Sequence, residues 1–342
     1  SAGGFLVPLL VGMALMLYGA AQSVRQRNNP RSLILWGSLH DAGIFCLGLG
    51  ASGGINSTGL WLFVLFQAAA RLLAWAALSR LTPPALNAPV QLQDLRATGK
   101  RQPWTAACFG LGMLAAVGGS PFLVPEARMF ISSGILGSMP GAMAALMCMA
   151  IATTVLIWLH VEAVRIAVLD TTGEETPASW AAPSGNVFVM LGLAVVVALL
   201  GLFRGPITEL FASSYNVAVP HSATHPAYWC YYAGAFLTGI AFLAKFDRAP
   251  LVGVAFSALA LATTIATPAG PTAKLFLVMI AVVGLVVSIY SLSYIHERQG
   301  RYWFFLLLTF ASLAGIVSAA DSATMYGYWE LMTFASYFLV VH

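Results

Sequence analysis

Runs of apolar residues long enough to cross a bilayer follow one another along almost the whole chain, and this pattern restricts the fold more than any single motif. They fall at about 4–24, 32–54, 57–80, 104–137, 140–165, 186–204, 227–244, 250–267, 271–292, 302–320 and 322–341. The ~30 Å hydrocarbon core takes about 20 apolar residues as a helix, and lipid offers no partner to an unpaired backbone group, so each run predicts a helix. Hydrophobic residues make up 59% of the chain and charged residues 8%, against about 25% charged in soluble domains. The expected fold is an all-α integral membrane protein of about 11 transmembrane helices, one of them discontinuous (about 104–137).

The loop charges orient these spans. If the loops alternate sides, Arg25, Arg27, Arg31, Arg80, Arg96, Lys100, Arg101, Arg165, Lys245, Arg248, Arg298 and Arg301 share one side, Arg204 and Lys274 the other, and Arg71 and Arg128 stay within the membrane. A miscounted span would scramble this bias in every later loop. By the positive-inside rule the crowded side is cytoplasmic, with the N-terminus outside and the C-terminal end of the sequence inside. The net charge of +4 therefore reads as topology, with no nucleic-acid partner implied.

The 104–137 segment is too long for one straight span and is interrupted by Gly118-Gly119-Ser120-Pro121 and Pro125. Such a break frees backbone groups that lipid cannot satisfy, so it is expected to be buried in protein or to line a wet cavity. Transporters place ion sites at breaks of this kind. The polar connections Thr82–Pro103 and Asp170–Gly185 are expected in the cytoplasm, and Gly205–Pro226, with Glu209, His221 and His225, outside. The last divides the chain into a six-span block (1–205), an external linker (206–226) and a five-span block (227–342). His221 and His225 have the spacing of a helical metal pair, but a Pro-containing stretch without helical periodicity reads as an exposed linker, and no metal ligand is assigned. Cys46, Cys108, Cys148 and Cys230 stand singly, and no haem, Walker or dinucleotide motif is present. The chain itself is expected to carry no cofactor and to hydrolyse no nucleotide.

An ionisable residue at mid-membrane costs ~2.5–3.5 kcal/mol on insertion scales and marks a substrate or ion pathway by default. Six residues are candidates for a proton or ion pathway: His40, Asp41, Arg71, Glu126, Arg128 and Glu330. His40 and Asp41 read as a pair able to change charge near neutral pH, or as a satisfied structural hydrogen bond. Glu126 and Arg128, two apart, face different sides of a regular helix. Arg71 and Arg128 cannot release a proton and read as fixed charges. Glu330 lies roughly 12 Å along the last run, where desolvation and a neighbouring cation would pull its proton affinity in opposite directions. His160 and Glu162 fall near the cytoplasmic end of the 140–165 run, where an interfacial position is as good a reading as an entry site. Asp321 reads as a helix N-terminal charge.

The stretch from Tyr294 to His342 resembles the early helices of the antiporter-like subunits of respiratory complex I, group 4 membrane-bound hydrogenases and multisubunit cation/proton antiporters. Trp329, Glu330, Ser336 and Tyr337 match the Trp-Glu pair and Ser-Tyr of that family's fifth helix. The first block resembles the later half of such a subunit. RSLILWGSLHDAG, Arg31 to Gly43, is similar to a KR-x-x-AYSS-x-x-x-x-G stretch. LFQAAARLLAW is similar to a His-x-x-x-Lys helix, with Gln67 at the His and Arg71 at the Lys, and GGSPFLVPEARMF to a broken GxPPxxGFxxK helix, with Arg128 at the Lys. The order of the halves is inverted, the middle helices with a family lysine are not visible, and arginine replaces two lysines. A fusion of partial subunits or a piece of a longer chain is the expectation.

The resemblance implies a membrane-arm subunit that translocates protons or sodium in a complex I-like or hydrogenase-like assembly in the bacterial inner membrane. Its partners would be other membrane-arm subunits and a peripheral redox arm on the cytoplasmic side, with iron–sulfur or nickel–iron centres in those partners. A component of a cation/proton antiporter or inorganic-carbon uptake system, and a non-conducting scaffold, are the alternatives.

Overall fold

The computed structural model describes residues 6–51, 54–82, 90–96, 98–118, 123–138, 141–170, 187–202, 204–214, 225–243, 248–296, 299–319 and 322–340. Among them there is no strand. Seven helices among the described residues are long and apolar enough to cross a membrane, so the protein is an all-α membrane protein. The chain divides into two compact units, Ser1–Val219 and Pro220–His342.

The first unit contains α1 (Leu6–Arg25), α2 (Pro30–Gly50), α3 (Gly54–Leu81), α4 (Thr98–Arg101), α5 (Pro103–Val117), α6 (Leu123–Ser138), α7 (Ala142–Val164), α8 (Val187–Leu202) and α9 (Arg204–Ser214). Asn29 starts α2, its side chain accepting from the amides of Arg31 at 3.0 Å and Ser32 at 3.3 Å, with Pro30 preset for the first turn. α1 and α2 pack through Gly12, Met16, Gly19 and Gly43, the small-residue contact that lets membrane helices approach closely. α3 is the axis of the unit and packs on α2, α5, α6, α8 and α9.

The discontinuity expected within 104–137 is present. α5 ends at Val117 on Gly118, whose φ of 92° is left-handed and suits glycine, and α6 resumes at Leu123. α7 runs further than its apolar run suggests, because Arg165–Leu169 continues it as a π-turn and brings the span to Ala142–Leu169. That end is held by the connection after α3, where a 3₁₀ turn (Leu92–Leu95) and α4 dock on it. Thr98 donates to the Ala167 carbonyl at 2.7 Å, and Arg96 pairs with Asp170 at 3.3 Å. α9 occupies the first part of the 206–226 stretch read as linker. Its Ile207, Thr208, Phe211 and Ala212 recur at helical spacing and pack inward, a short amphipathic pattern hidden by the neighbouring prolines.

The second unit contains α10 (Pro226–Leu243), α11 (Ala249–Ala266), α12 (Pro271–Tyr294), α13 (Gln299–Ser318) and α14 (Ser322–Val340). α13 lies at its centre, against α10, α11, α12 and α14. Its fully buried Trp303 lies over Gly253 of α11. Lys274, in the first turn of α12, donates to the carbonyls of Thr264, Ile265 (3.0 Å) and Thr267 (2.8 Å), so one ammonium satisfies the open end of α11.

Candidate ion-pathway site

The first unit buries charged and imidazole groups from four helices around one carboxylate. Asp41 (α2) accepts at Oδ2 from Arg71 (α3) through Nη2 at 2.7 Å and Nε at 3.0 Å. Its Oδ1 faces His40 Nδ1 at 3.3 Å and Arg128 Nη2 (α6) at 3.8 Å. Arg71 also donates through Nη1 to His160 Nε2 (α7) at 3.0 Å, and His40 Nε2 meets the Thr153 hydroxyl (α7) at 3.3 Å. His40 and His160 are fully buried, and Asp41 and Arg71 are 6% and 7% exposed. Charges this far from water are tolerated only when paired and hydrogen-bonded, and removing one partner strands the others.

Space for Arg71 comes from Gly37, one turn before Asp41 on α2. A Cβ at position 37 would stand 2.7 Å from both terminal nitrogens of the guanidinium.

The broken helix is tied to the same cluster. The last four carbonyls of α5 have no helical partner, yet each is satisfied. The Gly118 amide serves Leu114 and Ala115, Gln67 Nε2 donates to Ala116 at 2.7 Å, and Arg128 Nη1 donates to Val117 at 2.8 Å. Arg128 thus joins the break to the Asp41 carboxylate and also lies over the Phe63 ring, 5.9 Å from its centroid. Gln67 Oε1 is buried with no hydrogen-bond partner among the described residues.

Four of the six sequence candidates, His40, Asp41, Arg71 and Arg128, therefore meet in one cluster. Glu126 lies in α6, and its side chain falls outside the described residues. Glu330 belongs to the second unit. On α14 the buried face is formed by Tyr328, Leu331, Ala335 and Phe338, whereas Glu330 is only partly buried. It forms a polar stripe with Tyr326, Thr333 and Tyr337 at helical spacing, and Tyr326 hydrogen-bonds its carboxylate. Asp321 and His221 lie outside the described residues.

For His160 the sequence left an interfacial position and an entry site equally open; the structure buries it fully and joins it to the cluster through Arg71. The helix that carries it continues past Arg165 to Leu169. Glu162, which the interfacial reading fits better, pairs with Arg165 at 2.6 and 2.8 Å on a part-exposed face.

Residues 259–305, in α11, α12 and the start of α13, match the family described as NADH-ubiquinone oxidoreductase (complex I), chain 5 N-terminus. A Staphylococcus saprophyticus protein named as an antiporter subunit, mnhA2, is 36% identical over 70 residues, 20% of this chain and 9% of that protein. The chloroplastic NAD(P)H-quinone oxidoreductase subunit 5 of Ranunculus macranthus is 36% identical over 72 residues, and that of Populus trichocarpa 35%, each covering 20% of this chain and 10% of the relative. The matched stretch thus spans about a tenth of the length of these relatives. No solved structure matches the chain.

Proposed function

We propose, from the similarity of residues 259–305 to complex I chain 5 and of a short stretch to an antiporter subunit, a membrane-arm subunit that moves protons or sodium ions in a redox-driven, complex I-like or hydrogenase-like assembly. The observation that carries this reading is the buried cluster of His40, Asp41, Arg71, Arg128 and His160 beside a broken helix. A charge network at lipid depth is expensive, and its use is to stabilise or destabilise a mobile cation as it passes. Arg71 and Arg128 supply constant charge, while His40 and Glu330 are groups able to change theirs.

The chain binds no redox centre in this reading. Iron–sulfur or nickel–iron centres belong to a peripheral arm on the cytoplasmic side, and further membrane subunits flank this one. The N-terminus lies outside and the C-terminal end of the sequence inside a bacterial inner membrane. The relative named as an antiporter subunit favours a second reading, a cation/proton antiporter component without redox partner.

Asp41→Asn tests the proposal, because it keeps the shape of the cluster's centre and removes its only carboxylate among the described residues. In the assembled complex in inverted vesicles, ion uptake should fall at least ~10-fold, equivalent to ~1.4 kcal/mol of barrier, with assembly retained. Unchanged uptake in an assembled Asp41→Asn complex sinks the reading. Uptake that follows an added electron donor distinguishes the redox-driven assembly from the antiporter.

A further inference from the structure

We infer that the buried cluster of the first unit takes up a proton, and not sodium, on His40 Nε2, while His160 is a permanently neutral positioning residue. The inference rests on the ion-translocating reading and names the ion and the group that holds it.

Hydrogen-bond complementarity separates the two imidazoles. His160 Nδ1 lies 2.9 Å from the Leu156 carbonyl, which can only accept, and Nε2 lies 3.0 Å from Arg71 Nη1, which can only donate. His160 must therefore carry its hydrogen on Nδ1 and a lone pair on Nε2. A second proton would place an N–H against a guanidinium N–H. His160 holds Arg71 on Asp41 and exchanges nothing.

His40 has a different pair of partners. Its Nδ1 faces the Asp41 carboxylate and is fixed as a donor, but Nε2 faces the Thr153 hydroxyl, which both donates and accepts. In the neutral state Thr153 donates to the Nε2 lone pair. When a proton arrives, Nε2–H donates to Thr153 Oγ1, and the hydroxyl hydrogen turns away, as helical threonines do toward the preceding turn. The proton leaves from the same nitrogen and the first arrangement returns. Among the described side chains, the charged and titratable groups around His40 are Asp41 on its own helix, Arg71 on α3, Arg128 on α6 and His160 on α7. α1 presents the backbone at Gly19 and no titratable side chain on its buried face.

Among the described residues sodium has no seat. It needs several oxygen ligands, which broken helices supply from their freed carbonyls. Here the carbonyls of Leu114 to Val117 are taken by Gly118, Gln67 and Arg128. Asp41 Oδ2 is taken by Arg71, and Oδ1 lies between His40 and Arg128. Among the described residues Gln67 Oε1 is the one buried side-chain oxygen beside the break without a partner, and a single free oxygen is not a sodium site.

Ring ¹⁵N signals of the full chain, labelled at histidine and held in nanodiscs, test this without requiring transport. Single His→Gln variants assign the signals. On acidification, with sodium absent, His160 should keep the neutral Nδ1–H pattern while His40 passes from the neutral to the doubly protonated pattern; added sodium chloride should move neither. A His160 that titrates, a His40 that stays unchanged while the chain remains folded, or a sodium-dependent shift at either ring overturns the inference. In the assembled complex, His40→Gln should abolish proton uptake in sodium-free medium. His160→Ala, which releases Arg71 from α7, should lower that uptake, and His160→Gln, whose amide oxygen can still accept from Arg71, should restore part of it. Equal loss in His40→Gln and His160→Gln, with assembly intact, overturns the division of roles. A wild type that moves no ion defeats the transport reading alone, because the ring signals still decide the assignment.

Discussion

The Arg71 guanidinium lies against α2 at the place where Gly37 has no side chain, and a Cβ there would stand 2.7 Å from each terminal nitrogen. The bonds from Arg71 to Asp41 and His160 depend on that approach. Position 37 therefore sets the geometry of the cluster without touching an ion.

Gly37→Ala should push the guanidinium off Asp41. Overpacking a tight site costs about 1–3 kcal/mol, so the variant should assemble with lowered thermal stability and lose most of its ion uptake. Gly192, where an added Cβ meets nothing within 4 Å, is the control, and Gly192→Ala should behave as wild type. Equal uptake in the two variants would show that Arg71 tolerates displacement.

Arg128 has two attachments of different kinds. Arg128→Ala leaves the Val117 carbonyl without its donor and Asp41 with one cation fewer, and uptake should fall at least ~10-fold, about 1.4 kcal/mol. Arg128→Lys keeps the charge but not the fork that reaches both groups. It should retain substantial, reduced uptake. Full activity in Arg128→Ala would reduce the broken helix to a structural kink.

The all-helical, apolar character of the chain and the break were legible because lipid imposes them. A helix must be apolar for about 20 residues, and the Gly-Gly-Ser-Pro sequence after Val117 has no other use at that depth. The pairing inside the first unit was not legible. Asp41 and Arg71 are 30 positions apart and Arg71 and His160 are 89 apart, and no local pattern specifies which of several buried charges meet. His160 was left open between an interfacial position and an entry site, because the partner that buries it, Arg71, lies on a helix remote in sequence.

The loop charges predict sidedness independently of any site. A reporter active only outside the cytoplasm should be active when inserted between Ser214 and His225 and silent between Thr82 and Val90. The reverse pattern would invert the depth and direction assigned to every span.

His225 makes the second unit sensitive to acid. Its Nδ1 accepts from the Ala227 amide at 3.2 Å and caps the start of α10. Burial first, and then the Lys274 charge, hold its pKa below the usual 6.5. A histidine lowered on folding contributes stability that is present above its unfolded pKa and lost as pH falls through the folded one. Protonation also occupies the nitrogen that caps the helix. Thermal unfolding of the full chain in detergent should therefore weaken as pH drops below about 6.5, and His225→Asn, which keeps a capping acceptor without the titration, should flatten that loss. Parallel pH dependences in the two proteins would exclude His225 as the source.

Glu330 offers the sharpest test of the second unit. Its carboxylate sits on the partly exposed side of α14, one turn after Tyr326, which hydrogen-bonds it, and beside Trp329, which is 54% exposed. The buried face of the helix is formed by Tyr328, Leu331, Ala335 and Phe338. A carboxylate in an apolar run that costs ~2.5–3.5 kcal/mol at mid-membrane is expected to act by changing its charge. Glu330→Gln preserves shape and hydrogen bonding and removes the titration, so it should assemble at wild-type levels and fail in ion uptake. Glu330→Asp keeps the charge one methylene shorter and should retain part of the activity. Uptake into proteoliposomes, with assembly followed in parallel, checks both. Near-normal transport in Glu330→Gln would remove Glu330 from the route, and failed assembly in the same variant would make it an anchor for a neighbouring helix.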